Sequence, residues 1–327
     1  MTSVYPSEPA LRDRFVLEHR GPRAIHDPFQ LQDYMLEDEA GVDGGVARVA
    51  TIFLTGRECP WRCVMCDLWR HTISADTPVG ALPQQIAQAV ALIRCQEPAF
   101  PPHVKLYNAG SFFDPRAVPE RDYDTIAFHL TGFSRVIVES HPALIGPRVE
   151  AFQRSLHDAT LEVAMGLETA HPDALERLNK RMTLDDFKRA AGALGDLGVG
   201  VRVFLLVRPP FVADEDQDDW LARSVDTAFA CGAAVVSLIP VRSTTGAMSA
   251  LAAEGLFREP RLADLERAFA AALSRSRGRV FADLWDLGRF TDCGACGDAR
   301  RDRLVRMNRA QQIAPPVVCP VCGGSVT

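Results

Sequence analysis

Nine cysteines stand in this 327-residue chain, and seven of them fall into three tight groups. The first is Cys59-Pro-Trp-Arg-Cys63-Val-Met-Cys66, a C-x3-C-x2-C loop. Thiolates are the ligands of iron–sulfur clusters, and a short loop can wrap three of them around one [4Fe–4S] cube. Three ligands for four irons leave one iron open to a small chelating molecule. The alternatives are three incidental cysteines or part of a zinc site, although zinc usually takes four ligands in paired spacing. The other two groups, Cys293-Gly-Ala-Cys296 and Cys319-Pro-Val-Cys322, are C-x2-C pairs with 22 residues between them. Four such thiolates close a tetrahedral site, for zinc or for an auxiliary iron–sulfur cluster. A tail of this length has little core of its own and needs the metal to fold. Cys95 and Cys231 stand alone in helical stretches and read as small core residues.

Elements must position these loops. From about residue 47, short β-branched runs alternate with stretches of helical periodicity. Strands are expected over 49–55, 104–107, 136–139, 161–167, 199–207 and 235–240, with a weaker seventh over 279–284. Helices are expected over 83–94, 184–197, 218–231 and 262–274, the second opening on Thr183 with Asp186 three residues on and stopping at Gly198. This alternation predicts an α/β fold of parallel strands joined by right-handed crossovers: a partial or near-closed (β/α)6–7 TIM-like barrel with a small C-terminal metal-binding module. The expected boundaries are an N-terminal extension over 1–45 with one short helix, the barrel over 46–290 and the four-cysteine module over 291–327.

In such a barrel the chemistry collects at the C-terminal ends of the strands. The first cysteine loop directly follows the first predicted strand. Glu139 and His141 end the third, two residues apart in extended chain, so that both point one way as a substrate clamp, a proton-handling pair or a structural pair. Arg208 interrupts an apolar strand end at Val207-Arg208-Pro209-Pro210-Phe211, where a guanidinium wants a carboxylate or phosphate: a ligand's, or an internal one. Lys180, Arg181 and Arg242 are weaker candidates of the same kind.

The cysteine loop, its place after the first strand and the repeat that follows resemble the radical S-adenosylmethionine (SAM) superfamily. Met65 stands where that superfamily often has an aromatic residue. Further segments resemble its Elp3-like branch, and within it the family of tRNA-modifying radical SAM subunits of archaeosine synthase. They are Leu106-Tyr107-Asn108-Ala109-Gly110-Ser111-Phe112-Phe113-Asp114, Val138-Glu139-Ser140-His141-Pro142, Met165-Gly166-Leu167-Glu168-Thr169, Leu178-Asn179-Lys180-Arg181, Leu206–Phe211 and Val236-Ser237-Leu238-Ile239-Pro240. The resemblance implies a [4Fe–4S] cluster on Cys59, Cys63 and Cys66, with SAM chelated at the open iron. It implies that Asn108, Gly110 and Ser111 face the SAM amino group, although the usual acidic residue of that loop is absent. It also implies that Glu168 takes the SAM ribose hydroxyls; the alternative is a cap for the next helix. Reductive cleavage of SAM to a 5′-deoxyadenosyl radical, an electron donor such as flavodoxin or ferredoxin, a tRNA or modified-nucleobase substrate and a partner subunit are the further implications.

The charge of the whole chain is −6, which gives no overall attraction for a polyanion. Locally the balance differs: Arg300, Arg301, Arg303, Arg306 and Arg309 face only Asp298 and Asp302 between the C-terminal cysteine pairs. That stretch is expected to be helical and reads either as a nucleic-acid contact or as a solvated surface helix. A small metabolite or peptide is the rival substrate, and a non-catalytic metal-binding scaffold the rival class. No apolar run approaches a membrane span and no leader is visible, so a reducing cytoplasm is expected.

Overall fold

The computed structural model describes residues 5–108 and 110–323. Ala109 and Gly324, which the sequence reading drew on, lie outside the described residues.

Eight strands form one sheet in chain order: β1 (Asp33–Ala40), β2 (Val46–Leu54), β3 (His103–Asn108), β4 (Arg135–Glu139), β5 (Thr160–Glu168), β6 (Gly200–Val207), β7 (Val235–Pro240) and β8 (Arg279–Ala282). β1 runs antiparallel to β2, and every later neighbour pair is parallel. The helices are α1 (Pro9–Glu18), α2 (Ala81–Gln96), α3 (Tyr123–His129), α4 (Pro147–Ser155), α5 (Pro172–Arg177), α6 (Leu184–Asp196), α7 (Gln217–Ala230), α8 (Gly246–Ala253), α9 (Leu262–Ser274) and α10 (Gly297–Ala310). All seven expected strands are present, in the expected parallel order, and the sheet curls into a nearly closed α/β barrel.

Residues alternating along each strand divide inside from outside. One set, including Ile52, Leu106, Val138, Val163, Val203 and Leu238, is fully or almost fully buried with the apolar faces of the helices. α6 shows the pattern: Phe187, Ala190, Ala191 and Leu194 face the sheet, and Thr183 and Asp186 close a reciprocal cap at its start.

The other set is polar. Near the strand starts, Arg202 on β6 makes two 2.8 Å bonds to Glu39 on β1 and a 2.7 Å bond to Glu162 on β5. Lys105 on β3 lies 2.6 Å from both Glu37 and Glu39. Arg202 is only 2% exposed, so this layer survives because each charge is matched and hydrogen-bonded. Tyr107 and Phe204 meet edge to face one layer higher, with ring centroids 6.1 Å apart.

Within residues 1–45, β1 pairs with β2 and joins the sheet. Asp33, Glu37, Asp38 and Glu39 make its sequence look like solvated chain, yet Glu37 and Glu39 are the carboxylates of the interior layer. α1 is the expected short helix. Its Phe15 and Val16, with Tyr5, join Val64, Leu178, Leu206, Met248 and Leu251 in a second apolar cluster.

The free edge of β8 is covered by α10. Asn308 donates to Ala282 O at 2.9 Å and accepts from Ala282 N at 2.9 Å. Gln311 does the same for Val280, at 2.8 and 2.7 Å. Two side-chain amides thus take the place of a neighbouring strand on an edge that would otherwise be unpaired. On the other side of the seam Arg309 reaches Asp38 of β1 at 2.7 Å, and Arg279 of β8 donates to Ala40 O at 3.0 Å.

Candidate functional site

The cysteine loop leaves β2 at its C-terminal end, so Cys59, Cys63 and Cys66 lie at the mouth of the barrel. Its shape is held by backbone and side-chain bonds. Val64, fully buried, donates its N–H to Leu178 O at 3.0 Å. Asn179 Nδ2 donates to Arg62 O at 2.8 Å and to Asp13 of α1 at 2.8 Å. Arg62 returns a 2.7 Å bond to Cys59 O. Glu58 collects Arg20, Arg23 and Arg62. The Leu178–Arg181 segment, one of those that carry the family resemblance, therefore bonds directly to the loop.

Lys180 is the centre of this arrangement. Its Nζ lies 2.6 Å from Glu168 Oε1, and both side chains are about nine-tenths buried. Burial opposes its charge, but Glu168, Cys63 and Cys59 together hold its pKa above the ordinary lysine value. The pair occupies the space beside Gly166: a Cβ there would stand 2.0 Å from Glu168 Oε1 and 2.3 Å from Lys180 Nζ. In the sequence Lys180 is a weak candidate because nothing in its spacing points at the cysteines. Glu168 does not cap the next helix; His171 does, its Nδ1 accepting from Ala174 N at 3.3 Å.

Burial raises all three loop thiols, Cys66 to about 12, with Lys180 opposing the rise at Cys59 and Cys63. Thiols of that kind become good ligands only when a cation takes the charge that burial disfavours.

Glu139 stands beneath the mouth. Burial raises its pKa to about 8, Lys180 opposing and Glu168 adding to the rise. His141 is engaged on both nitrogens. Nδ1 accepts from Ala143 N at 3.1 Å, so Nε2 carries the proton and donates to Lys180 O at 2.9 Å. Burial, then Lys180, lowers its pKa to about 3. Its ring stacks on Trp61 of the cysteine loop, centroids 3.6 Å apart and planes 9° from parallel. The histidine thus supports the loop, a contact between residues 80 apart that no local signal could announce.

Ser111 Oγ accepts from His141 N at 3.0 Å, tying the loop after β3 to the end of β4. Gly110 lies where a Cβ would come within 2.7 Å of Arg57 O, at the root of the cysteine loop. Beside it, Asn108 is 4% exposed, and neither its Oδ1 nor its Nδ2 has a hydrogen-bond partner. A buried, unmatched amide is costly unless a ligand completes it.

Arg208, at the end of β6, has carboxylate partners within the chain. It pairs with Asp214, and with Asp264 at 3.9 Å, which is the internal alternative to ligand recognition. The backbone is nevertheless unusual here: five of the eight described non-glycine residues with positive φ, Glu168, Asn179, Arg181, Arg208 and Phe211, follow β5 or β6. Such conformations persist where surrounding structure over-determines them, as at functional sites.

At the far end of the chain, the sulfurs of Cys293, Cys296, Cys319 and Cys322 all lie within 4.8 Å of one another. The amides of Val321 and Cys322 point at the Cys319 sulfur and lower its pKa to about 7. Two of the five arginines between these pairs do not face solvent. Arg300 binds Glu266 of α9 at 2.5 and 2.9 Å, Arg303 binds it at 3.2 Å, and Glu266 is fully buried. The expected basic patch is corrected to this extent: Arg300 and Arg303, three residues apart and so on one face of α10, meet Glu266 and fasten the helix to the barrel. Arg301 and Arg306 remain exposed.

No family model matches the chain. It is 30% identical over 231 residues to archaeosine synthase subunit beta of Methanosarcina acetivorans, covering 67% of this chain and 65% of that protein. It is 28% identical over 159 residues to archaeosine synthase subunit beta of Thermococcus kodakarensis, covering 47% of this chain and 48% of that one. The chain thus spans somewhat less than two thirds of the first relative and about half of the second. Among solved structures, the barrel is similar to methylornithine synthase, with a TM-score of 0.52 and 12% identity over 81% of this chain and 70% of that one. It is also similar to the archaeal Elp3 of Methanocaldococcus infernus, with a TM-score of 0.50 and 14% identity over 67% and 57%. Among the described residues no helix is long and apolar enough to cross a membrane. In sequence, then, the chain is similar to archaeosine synthase subunit beta over somewhat less than two thirds of that protein, and in fold its barrel is similar to those of Elp3 and methylornithine synthase.

Proposed function

We propose that this chain is a radical SAM enzyme in which Cys59, Cys63 and Cys66 hold a [4Fe–4S] cluster, and that it acts on a tRNA nucleobase together with a partner subunit. The observation that most supports the reading is the convergence at the barrel mouth. A three-thiol loop is braced by Trp61 and His141, Lys180 offers it a buried cation, and the amide of Asn108 stands buried and unmatched at its root. When bound, a reduced cluster with SAM supplies the 5′-deoxyadenosyl radical that takes a hydrogen atom from substrate. The chain's own residues bind, orient and shield. Lys180 compensates negative charge at Cys59 and Cys63, Asn108 and Ser111 present polar groups toward the SAM amino end, and Glu168 meets the ribose while anchored by Lys180. Glu139, held protonated near neutral pH, can donate a hydrogen bond or a proton without adding charge. An electron donor such as flavodoxin or ferredoxin and a reducing, cytoplasmic setting suit such thiol ligands. The four C-terminal cysteines would hold a second metal, zinc or another iron–sulfur cluster.

Anaerobic reconstitution with iron and sulfide, followed by SAM and a strong reductant, tests the central claim. Release of 5′-deoxyadenosine that disappears in the C59A/C63A/C66A variant is expected; no release from iron-loaded protein would sink it.

The tRNA substrate and partner subunit rest on the resemblance and on the relatives named archaeosine synthase subunit beta. The inward turn of Arg300 and Arg303 favours a second reading, a small metabolite or peptide, because it takes two cations out of the basic stretch between the C-terminal cysteine pairs. Filter binding with bulk tRNA at two salt concentrations separates them. Salt-sensitive binding weakened by R301A/R306A supports tRNA, and comparison of tRNA nucleosides from cells with and without the protein identifies the base.

A further inference from the structure

The four C-terminal cysteines bracket α10. Cys293 and Cys296 end immediately before it, and the chain returns after it to bring Cys319 and Cys322 back to the same point. Their sulfurs are drawn together to within 4.8 Å, with Cys296 and Cys322 at 3.6 Å. A tetrahedral zinc ion with Zn–S bonds of about 2.3 Å sets its sulfurs about 3.8 Å apart. The cysteine sulfurs around an iron–sulfur cube are held much farther apart by the cube itself. The surroundings also suit a four-thiolate ion of net negative charge. Cys296 stands at the N-terminal end of α10, where the helix dipole is positive. Arg300, one turn on, adds a buried guanidinium bonded to Glu266.

What this cluster holds in place is the seam of the barrel. α10 lies across the gap between β8 and β1, and it supplies the Asn308 and Gln311 amides on one side and Arg309 on the other. Of its fourteen residues, only Arg300, Arg303, Leu304 and Met307 are buried. That is a thin apolar stripe for an element with so much to position.

We propose that Cys293, Cys296, Cys319 and Cys322 bind one zinc ion, and that this ion clasps α10 over the open edge of β8 and so closes the barrel. The proposal deepens the reading of the four cysteines as a metal site and is independent of the cluster at the barrel mouth. The test therefore counts each metal in separate variants of the full chain. Purified anaerobically, the protein should carry about one zinc per chain. The C59A/C63A/C66A variant should keep that zinc and lose its iron, and C319S/C322S should lose zinc and keep iron. Zinc removal by a chelator should speed hydrogen exchange of α10 and of the β8 amides at Val280 and Ala282 at least tenfold, leaving α2 unchanged. Should C319S/C322S fail to fold, cobalt(II) added to chelator-treated wild-type chain gives the same answer through the visible bands of a tetrahedral four-thiolate ion. Iron that disappears with Cys319 and Cys322, an octahedral cobalt spectrum, or zinc loss without faster exchange at α10 and β8 would each overturn the proposal.

Discussion

Lys180 Nζ lies 2.6 Å from Glu168 Oε1, in the space that a side chain on residue 166 would fill. That contact joins two segments, the end of β5 with its Gly166 and the stretch that bonds to the cysteine loop. Glu168 is poised toward the barrel mouth by Lys180, and Lys180 is kept charged by Glu168 and by the nearby thiols.

Removing one partner leaves the other buried without compensation. K180Q is expected to lower the unfolding free energy by about 3 kcal/mol, measured by urea denaturation at neutral pH. K180M/E168L, which removes both charges, should recover most of the loss; an equal loss in the double variant would show that the pair does not set the cost.

Gly166 and Gly192 should respond oppositely to the same substitution. G166A forces a methyl into the ion pair and is expected to cost about 2 kcal/mol. At Gly192, exposed in the middle of α6, a Cβ meets nothing within 4 Å, so G192A should stabilise by up to about 1 kcal/mol. Thermal midpoints of the two variants against the parent decide the matter.

The raised pKa of Glu139 carries a pH signature. Between its ordinary value of 4.5 and about 8, the folded chain holds a proton that the unfolded chain has released. Stability from this group therefore falls as pH rises through that window. His141, lowered from 6.5 to about 3, pushes the other way, since only the unfolded chain gains its proton as pH falls. Comparing E139Q with the parent cancels the histidine. The variant should gain on the parent in urea midpoint from about pH 5 to about pH 8, and a constant difference would refute the shift.

Trp61 covers one face of His141. With W61A, the burial that depresses the imidazole is relieved, so its pKa should move from about 3 toward 6.5, followed by NMR titration of the ring protons. The stack itself is worth about 1 kcal/mol, so the fold should survive. An unmoved His141 would mean that Lys180 and the backbone, rather than Trp61, keep it neutral.

The chain by itself determined the repeat and the ligand types. β-branched runs of four to nine residues separated by amphipathic stretches can bury themselves in few ways, so the seven parallel strands, the cap at Thr183 and Asp186, and the loop after β2 were all legible. Cysteine spacing was legible for the same reason: it is set by short loops. The tertiary structure alone decided which charges face inward. Glu37 and Glu39 look solvated until Lys105 and Arg202 meet them, and Arg300 and Arg303 look like a basic surface until Glu266 does. Periodicity reports hydrophobicity along the chain, and a charge buried with its partner from a distant element leaves no periodic trace. The partners of Lys180, Trp61 and His141 were hidden in the same way, because they come together only when the barrel closes.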